Sequence, residues 1–165
     1  MKILLLVRHA KSSWDNLQIT DFERSLNDRG KKDAPLMAER VKERKIKIDR
    51  FVSSPAKRAK KTAGIFMDEY GVQEKSLVLV PSLYEASVKD FYDAVENLSD
   101  KDDSVALFSH NPGITDFVNM LTENKVDNMP TCGVFAVKIK TKNWIDFKKA
   151  TKEFLFFDYP KNAVD

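Results

Sequence analysis

The sequence predicts an α/β protein, with one domain over residues 1–165, a mostly parallel central sheet and helices on both faces. Short apolar runs alternate with segments of helical periodicity along the chain, and this alternation is typical of βαβ units. A length of 165 residues fits one domain, and 42% hydrophobic residues suffice for an ordinary core. No repeat, low-complexity segment or Pro/Gly/Ser linker divides the chain, so we expect a single domain.

Six segments predict the strands of this sheet. The apolar run that follows Lys2 has the length of a strand buried on both faces, and the segment that begins at Ser104 shows the same pattern. The last two segments alternate apolar and polar side chains, so we expect them near one edge of the sheet as antiparallel strands. The predicted strands are residues 2–7, 50–53, 77–80, 104–108, 133–140 and 152–158.

Four segments predict helices, each with apolar residues at a spacing of about 3.6. The first begins near Asn27 or Asp28 and contains Pro35, so its start is placed loosely. Ser54 predicts the N-cap of the second helix, with Pro55 at its first helical position. The predicted helices are residues 27–46, 55–70 with Gly71 as the stop, 87–98, and a fourth that begins at Asn111-Pro112.

Residue counts exclude several classes of protein. The net charge of +3, from 28 basic and 25 acidic residues, does not indicate a dedicated nucleic-acid binder. A single cysteine cannot form an internal disulfide, and one Cys with two His is too few for the usual structural zinc sites. The apolar run at residues 3–7 is too short for a membrane helix and lacks a signal-peptide cleavage site. We therefore expect a soluble cytoplasmic protein without a membrane partner.

Three other functional patterns are weak or missing. A cysteine phosphatase places an arginine six positions after its cysteine, but Lys138 stands six positions after Cys132, which we expect to be a buried thiol near a strand. The chain has neither a Walker motif nor two glycines that stand two apart, which excludes a dinucleotide fingerprint. The basic segment 40–47 is interleaved with acidic residues such as Glu43, which favours a solvated face over an RNA-binding one.

The residues that carry chemistry follow the predicted strands. Arg8 and His9 come directly after the first strand, and His110 follows another. Because ligands of open α/β sheets bind outside the carboxyl ends of the strands, we expect both histidines of the chain on one edge. Arg58 lies one turn into the helix after a third strand, and Glu85 lies in a fourth loop. The topology therefore predicts two His, two Arg and one Glu on one rim.

Such a cluster suits phosphoryl transfer. Guanidinium groups match phosphate oxygens, a neutral imidazole can act as a nucleophile, and a carboxylic acid can protonate a leaving oxygen. Without a metal, Arg and protonated His must neutralise the phosphoryl charge. Each residue alone has an ordinary explanation as a solvated surface group, so the convergence of all five is what favours a functional site.

Five blocks of the sequence resemble the motifs of the histidine phosphatase superfamily, which includes cofactor-dependent phosphoglycerate mutase. Within it, the chain most resembles the short SixA-type phosphohistidine phosphatases. The first block contains Val7-Arg8-His9-Ala10, and the last is Ser109-His110-Asn111-Pro112-Gly113. The blocks occur in family order over nearly the whole chain, at residues 6–14, 21–30, 53–63, 83–85 and 109–113.

The resemblance implies a role for each candidate residue. His9 would be the nucleophile that becomes phosphohistidine, and Arg8, Arg58 and His110 would form the phosphate pocket. Glu85 would be the proton donor. The resemblance further implies that Ser12 helps to bind phosphate, and that no cofactor and no metal is required.

Two positions depart from the pattern of the mutase-like members. Ala10 stands where they usually have Gly, and Asp15 stands where they usually have Asn. A phosphate contact that the Asn makes is therefore in doubt in this chain.

Three functions remain open from the sequence: removal of phosphate from protein phosphohistidine, hydrolysis of a small phosphomonoester, and non-catalytic binding of a phosphoprotein. The intact nucleophile argues against the third. Only 24 residues separate Glu85 from His110, which leaves little material for a cap over the pocket. An open pocket suits a phosphorylated side chain on another protein, so we expect a phosphoprotein as the first candidate partner. A monomer is compatible with the sequence.

Overall fold

The computed structural model describes residues 1–162, which form a six-stranded mixed sheet flanked by helices. Its strands are β1 (Lys2–Arg8), β2 (Arg50–Ser53), β3 (Val78–Leu79), β4 (Ser104–Ser109), β5 (Val134–Ile139) and β6 (Lys152–Asp158). Its α-helices are α1 (Asp28–Glu43), α2 (Lys57–Glu69), α3 (Val88–Glu96) and α4 (Gly113–Val118). Short 3₁₀ turns lie at Asp21–Glu23, Glu74–Ser76, Pro81–Leu83 and Trp144–Asp146.

The sheet brings the two histidine-bearing loops side by side. Its strand order is β3-β2-β4-β1-β5-β6, and the first four of these strands are parallel. In the β1–β4 pair, Arg8 lies opposite Ser109, so His9 and His110 leave the sheet at the same level. Strand β5 runs antiparallel to both β1 and β6. The predicted fold, mostly parallel with antiparallel strands at one edge, is confirmed.

Both faces of the sheet are buried, as the continuous apolar sequence of β1 predicts. Leu4 and Leu6 pack into the cluster under α3 and α4, whereas Leu5 and Val7 pack into the cluster under α1 and α2. All four side chains are fully buried. Burial of each contributes roughly 1.5–3 kcal/mol, so this strand firmly anchors the loop that begins at His9.

The helix caps agree with the sequence except at the start of α2. Asn27 caps α1 by accepting a hydrogen bond from the Gly30 amide, and Ser87 forms a capping box at the start of α3. Helix α2 begins at Lys57 rather than at Pro55. Ser54 does not cap this helix. Its hydroxyl lies 2.7 Å from the His110 Nε2 and accepts a hydrogen bond from the Ala56 amide, which precedes the helix.

Other helix ends differ from the sequence pattern, which predicts an end at residue 46 for the first helix and apolar spacing as far as Leu121 for the fourth. Helix α1 ends at Glu43 rather than at residue 46, because Lys45 takes a positive φ of 61° and turns the chain. The fourth helix ends at Val118, so Leu121 packs into the core from the following turn. No helix within residues 1–162 is long and apolar enough to cross a membrane.

Candidate active site

The six residues predicted to form a site meet in one cleft. The cleft has a volume of about 280 Å³ and lies at the carboxyl ends of the parallel strands. The predicted residues that line it are Arg8, His9, Ser12, Arg58, Glu85 and His110. It is also lined by residues to which the sequence assigned no role, namely Lys11, Trp14, Asp21, Arg24, Tyr84, Asn111 and Thr131.

His9 is held by its backbone and by one ring nitrogen. Its amide donates to the Ser109 carbonyl at 3.1 Å, and its carbonyl accepts from the Cys132 amide at 3.0 Å. The ring Nδ1 lies 2.7 Å from the Ala10 carbonyl oxygen. A carbonyl oxygen can only accept, so this contact assigns the proton to Nδ1 and leaves the lone pair on Nε2. The geometry therefore presents Nε2 as a nucleophile.

The surroundings of His9 keep its ring neutral. Burial lowers its pKa well below the ordinary value of 6.5, and the neighbouring His110, Arg58 and Arg8 side chains lower it further. The hydrogen bond to the Ala10 carbonyl opposes these effects without outweighing them. A neutral imidazole retains the lone pair that attack on phosphorus requires.

His110 lies beside His9, with the two ring centroids 5.1 Å apart. Its Nε2 lies 2.7 Å from the Ser54 hydroxyl, which fixes the ring against the loop that leads into α2. Burial, followed by the charge of Arg58, lowers the pKa of His110 to about 3. Its Nδ1 is buried and has no hydrogen-bond partner within residues 1–162.

Arg58 reaches the cleft from the first turn of α2 and is 4% exposed. Its Nε donates toward the His9 Nε2 at 3.4 Å, so the guanidinium lies directly beside the nucleophilic nitrogen. Its Nη1 and Nη2 donate to the backbone carbonyl and the side-chain carboxylate of Asp21, at 2.7 and 3.0 Å. Asp21 thus orients the guanidinium.

Asp21 is the centre of a network that sequence reasoning missed. Its carboxylate also accepts from the Tyr84 hydroxyl at 2.7 Å and from the Arg24 Nε at 3.0 Å. Burial alone would raise its pKa, but these hydrogen bonds and the charge of Arg58 lower the pKa to about 2. Asp21 is the first residue of the block at residues 21–30, which resembles a family motif. Its place in that motif is the one sequence feature that could have indicated a functional role for Asp21.

Arg24 links the cleft to its rim. Its Nη1 donates to the Ser12 hydroxyl at 2.7 Å, and its guanidinium stacks 3.4 Å from the centre of the Trp14 ring. Ser12 lies in the cleft, and its oxygen already accepts a hydrogen bond from Arg24. Its own O–H proton is the group that can be donated to a ligand.

Arg8 is anchored on one side of its guanidinium. Its Nη1 donates to the Met129 carbonyl at 2.8 Å, while its Nε is buried without a partner in the described residues. Burial and the neighbouring Arg58 lower the pKa of Arg8. Two like charges that line one cleft favour an anion between them.

Glu85 lies at the exposed rim of the cleft. Its φ of 56° is unusual for a residue with a side chain and costs roughly 1–3 kcal/mol. Its carboxylate has no hydrogen-bond partner within residues 1–162. Strain of this kind concentrates at functional sites, which fits a role for Glu85 at the cleft.

The charges of the cleft select anions. Four cations line it, against the carboxylates of Asp21 and Glu85. Within residues 1–162, no cluster of three or more His, Cys, Asp or Glu side chains is placed to hold a metal ion. Cys132 is fully buried near β5, as predicted, and burial raises the pKa of its thiol. The arrangement can bind a phosphoryl group between guanidinium groups and hold an imidazole against it.

A sequence model of the histidine phosphatase superfamily (branch 1) matches residues 4–120, more than half of the chain. The chain belongs to the histidine phosphatase superfamily. The resemblance predicted from its five motifs is therefore confirmed at the level of the family.

Curated relatives of this superfamily member include a mutase. This chain is 35% identical over 104 residues to a phosphoglycerate mutase of Schizosaccharomyces pombe, and the match covers 62% of this chain and 47% of the mutase. It is 26% identical over 149 residues to an uncharacterized chloroplastic protein of Arabidopsis thaliana, covering 86% of this chain and 68% of that protein. The chain spans about half the length of the mutase.

Solved structures show that this superfamily member shares the SixA fold. A phosphohistidine phosphatase SixA of Agrobacterium tumefaciens, so described in its structure, superposes with a TM-score of 0.80 at 22% identity. The match covers 96% of this chain and 98% of that one. A mycobacterial glucosyl-3-phosphoglycerate phosphatase gives a TM-score of 0.69 at 14% identity, covering 99% of this chain and all of that one.

The two departures from the mutase-like pattern have different consequences in this superfamily member. Ala10 is buried and does not adopt a positive φ, so its methyl group fits where Gly is usual. Asp15 is exposed and does not line the cleft.

We expect the stability of this superfamily member to fall as the pH is lowered from 6.5 to 4. His9 and His110 stay neutral in the folded protein because their pKa values are lowered, that of His110 to about 3. The unfolded chain binds protons at these positions near pH 6.5 and therefore holds more protons than the folded state. The free energy of unfolding should fall by up to about 1.4 kcal/mol per pH unit for each histidine.

Urea denaturation at intervals between pH 7.5 and 4 measures this slope. Asp21, whose pKa is lowered from 3.8 to about 2, adds to the slope only from about pH 5 downward, so the slope between pH 7.5 and 5 reports on the histidines. The matched control is the double variant His9→Gln, His110→Gln, which should show a shallower slope. A double variant with the same slope as the wild type would contradict the assignment of both rings as neutral.

Proposed function

We propose that the protein is a phosphatase that removes the phosphoryl group from protein phosphohistidine through a covalent intermediate on His9. The fixed Nδ1 proton of His9 and the position of Arg58 beside Nε2 carry this proposal. In the first step the Nε2–P bond forms, the P–N bond of the substrate breaks, and the leaving imidazole takes up a proton from Glu85 or from solvent. In the second step water forms an O–P bond and gives up a proton to the Glu85 carboxylate or to solvent, the Nε2–P bond breaks with its electron pair returning to Nε2, and phosphate is released.

The side chains of the cleft supply the positive charge for both steps. Arg8 and Arg58 are placed to hold the phosphoryl oxygens, and His110 has an unpartnered buried nitrogen that a phosphoryl oxygen would satisfy. Phosphoryl transfer requires mainly positioning and neutralisation of charge. We therefore expect hydrolysis to continue at an unchanged rate in excess EDTA.

The shape of the rim supports a protein substrate. Trp14 is 67% exposed and Leu17 in the same loop is 92% exposed, so the rim offers apolar contact area. The fold matches SixA structures over nearly the full length of both chains, and one of these is described as a protein histidine phosphatase in complex with tungstate. A phosphorylated side chain that projects from a protein surface suits such a rim.

A small phosphomonoester is the alternative substrate. The 35% identity to a phosphoglycerate mutase favours it, since that relative's name refers to a small substrate. The same cleft and the same covalent step would serve both substrates, whereas a non-catalytic phosphoprotein-binding module would have no use for a neutral His9 ring with its Nε2 lone pair at the cleft.

A comparison of kcat/KM between a phosphohistidine protein and a panel of small phosphomonoesters tests the proposal. We expect the phosphohistidine protein to be preferred by about 100-fold or more, equivalent to about 2.7 kcal/mol. A phosphomonoester with the higher kcat/KM would replace the proposed substrate, and absence of turnover on every substrate would favour the binding module. The His9→Ala protein serves as the blank.

Glu85→Gln should separate the two kinds of leaving group. We expect kcat on alkyl phosphomonoesters to fall about 100-fold, because an alkoxide must be protonated as it leaves. Phosphohistidine should lose less than about tenfold, because imidazole leaves more readily. Glu39→Gln, an exposed site on α1, is the matched control. Equal losses on both substrates would count against Glu85 as the leaving-group acid.

A further inference from the structure

A second cavity of about 320 Å³ adjoins the catalytic cleft and is called the side groove here. It shares Arg8, Lys11 and Thr131 with the cleft, so the two are adjacent. The residues that line it are Arg8, Lys11, Arg29, Pro130, Thr131, Tyr159, Pro160 and Lys161. Four of these are cations, and none is acidic.

The cations of the side groove are largely free of local counter-charges. Lys11 and Lys161 are exposed, and their ammonium groups make no ion pair or hydrogen bond within residues 1–162. Arg29 makes one long ion pair, from its Nε to the Asp33 carboxylate at 3.4 Å, which leaves both of its Nη groups available. Positive groups placed around an open groove attract an anion.

Arg8 joins the two cavities. Its Nη1 is bound to the Met129 carbonyl and its Nε has no partner within residues 1–162, while the side chain lines both the cleft and the side groove. An anion in the side groove would therefore lie next to a phosphoryl group over His9, on the other side of the Arg8 side chain.

We propose that the side groove binds a carboxylate of the substrate protein while its phosphohistidine occupies the catalytic cleft. This inference rests on the proposed function, because it assumes a protein substrate. Carboxylates are the anions that protein surfaces carry, and Arg29 can bind one with two parallel hydrogen bonds. The enzyme would then select phosphohistidines that have an acidic side chain nearby.

Two phosphohistidine peptides that differ only in Glu or Gln at the flanking positions test this selection. In the double variant Arg29→Gln, Lys161→Gln, we expect the ratio of kcat/KM between the Glu and Gln peptides to fall about fivefold, through KM rather than kcat. Lys60→Gln, Lys61→Gln removes two exposed cations from α2 and should leave the ratio unchanged. An unchanged ratio in the side-groove variant overturns the proposal.

Binding of the unphosphorylated Glu peptide keeps the test independent of catalysis. Isothermal titration should show about fivefold weaker binding to the side-groove variant than to the wild type, and equal binding overturns the proposal. If the wild type fails to hydrolyse phosphohistidine, the proposed function fails while this titration still decides on the side groove. A small bisphosphate that binds with the same dependence while the peptide does not would also overturn the carboxylate assignment.

Discussion

His9→Ala is expected to lower kcat by about 10⁴-fold or more on every substrate, because the covalent route has no nucleophile without it. The ring that would attack is held by the hydrogen bond from its Nδ1 to the Ala10 carbonyl. The loss should appear in kcat rather than in KM alone, since the Arg8 and Arg58 guanidiniums remain to bind phosphate. Steady-state kinetics with a phosphohistidine protein measures the effect.

A folding control accompanies this variant. His9 is buried, so the melting temperature of His9→Ala is compared with that of the wild type, and binding of inorganic phosphate confirms an intact pocket. His9→Asn, which keeps a polar side chain of similar reach, should be equally inactive. Retained hydrolysis in either folded variant would remove His9 from the role of nucleophile.

Arg58→Lys is expected to lower kcat by about 100- to 1000-fold, although the positive charge is conserved. Arg58 directs one nitrogen toward the His9 Nε2 and two toward Asp21, and an ammonium group cannot reproduce this planar fork. The phosphoryl group in the transition state would then lose a hydrogen-bond donor that lies beside the attacking nitrogen. Single-turnover rates on a phosphohistidine protein measure this loss directly.

Asp21→Asn is the informative companion to Arg58→Lys. It weakens the orientation of Arg58 but keeps the guanidinium, so we expect a smaller loss of kcat, about tenfold. The affinity for inorganic phosphate should fall in Arg58→Lys and change less in Asp21→Asn. An Arg58→Lys enzyme with kcat within threefold of the wild type would contradict the role of the fork.

The positions of the strands and of the main site residues follow from local sequence signals. Continuous apolar runs predict β1 and β4, and the residues directly after them, His9 and His110, are placed together by the parallel pairing of these strands. Arg58 was located by its place one turn into a helix after β2. Local pattern and the rule for strand ends were sufficient here, because backbone topology alone brings these residues together.

The network around Asp21 could not be found in the same way. Asp21 begins a short 3₁₀ turn that Arg24 ends, close to an isolated bridge between Ser12 and Leu26, and no periodicity indicates that bridge. Ser54 shows the same limit. The sequence Ser54-Pro55 predicts an N-cap, but the Ser54 hydroxyl instead lies within hydrogen-bond distance of His110, and the helix begins at Lys57. Side-chain hydrogen bonds between distant segments decide these features.

Trapping the intermediate tests the central claim most directly. The enzyme is mixed with a phosphohistidine protein labelled at phosphorus, quenched within milliseconds in alkali, digested and mapped. The account predicts an acid-labile, alkali-stable phosphoramidate on the His9 Nε2, at up to one per chain and absent from His9→Ala. A phosphoryl group on any other residue, or turnover without a phosphoenzyme, would contradict it.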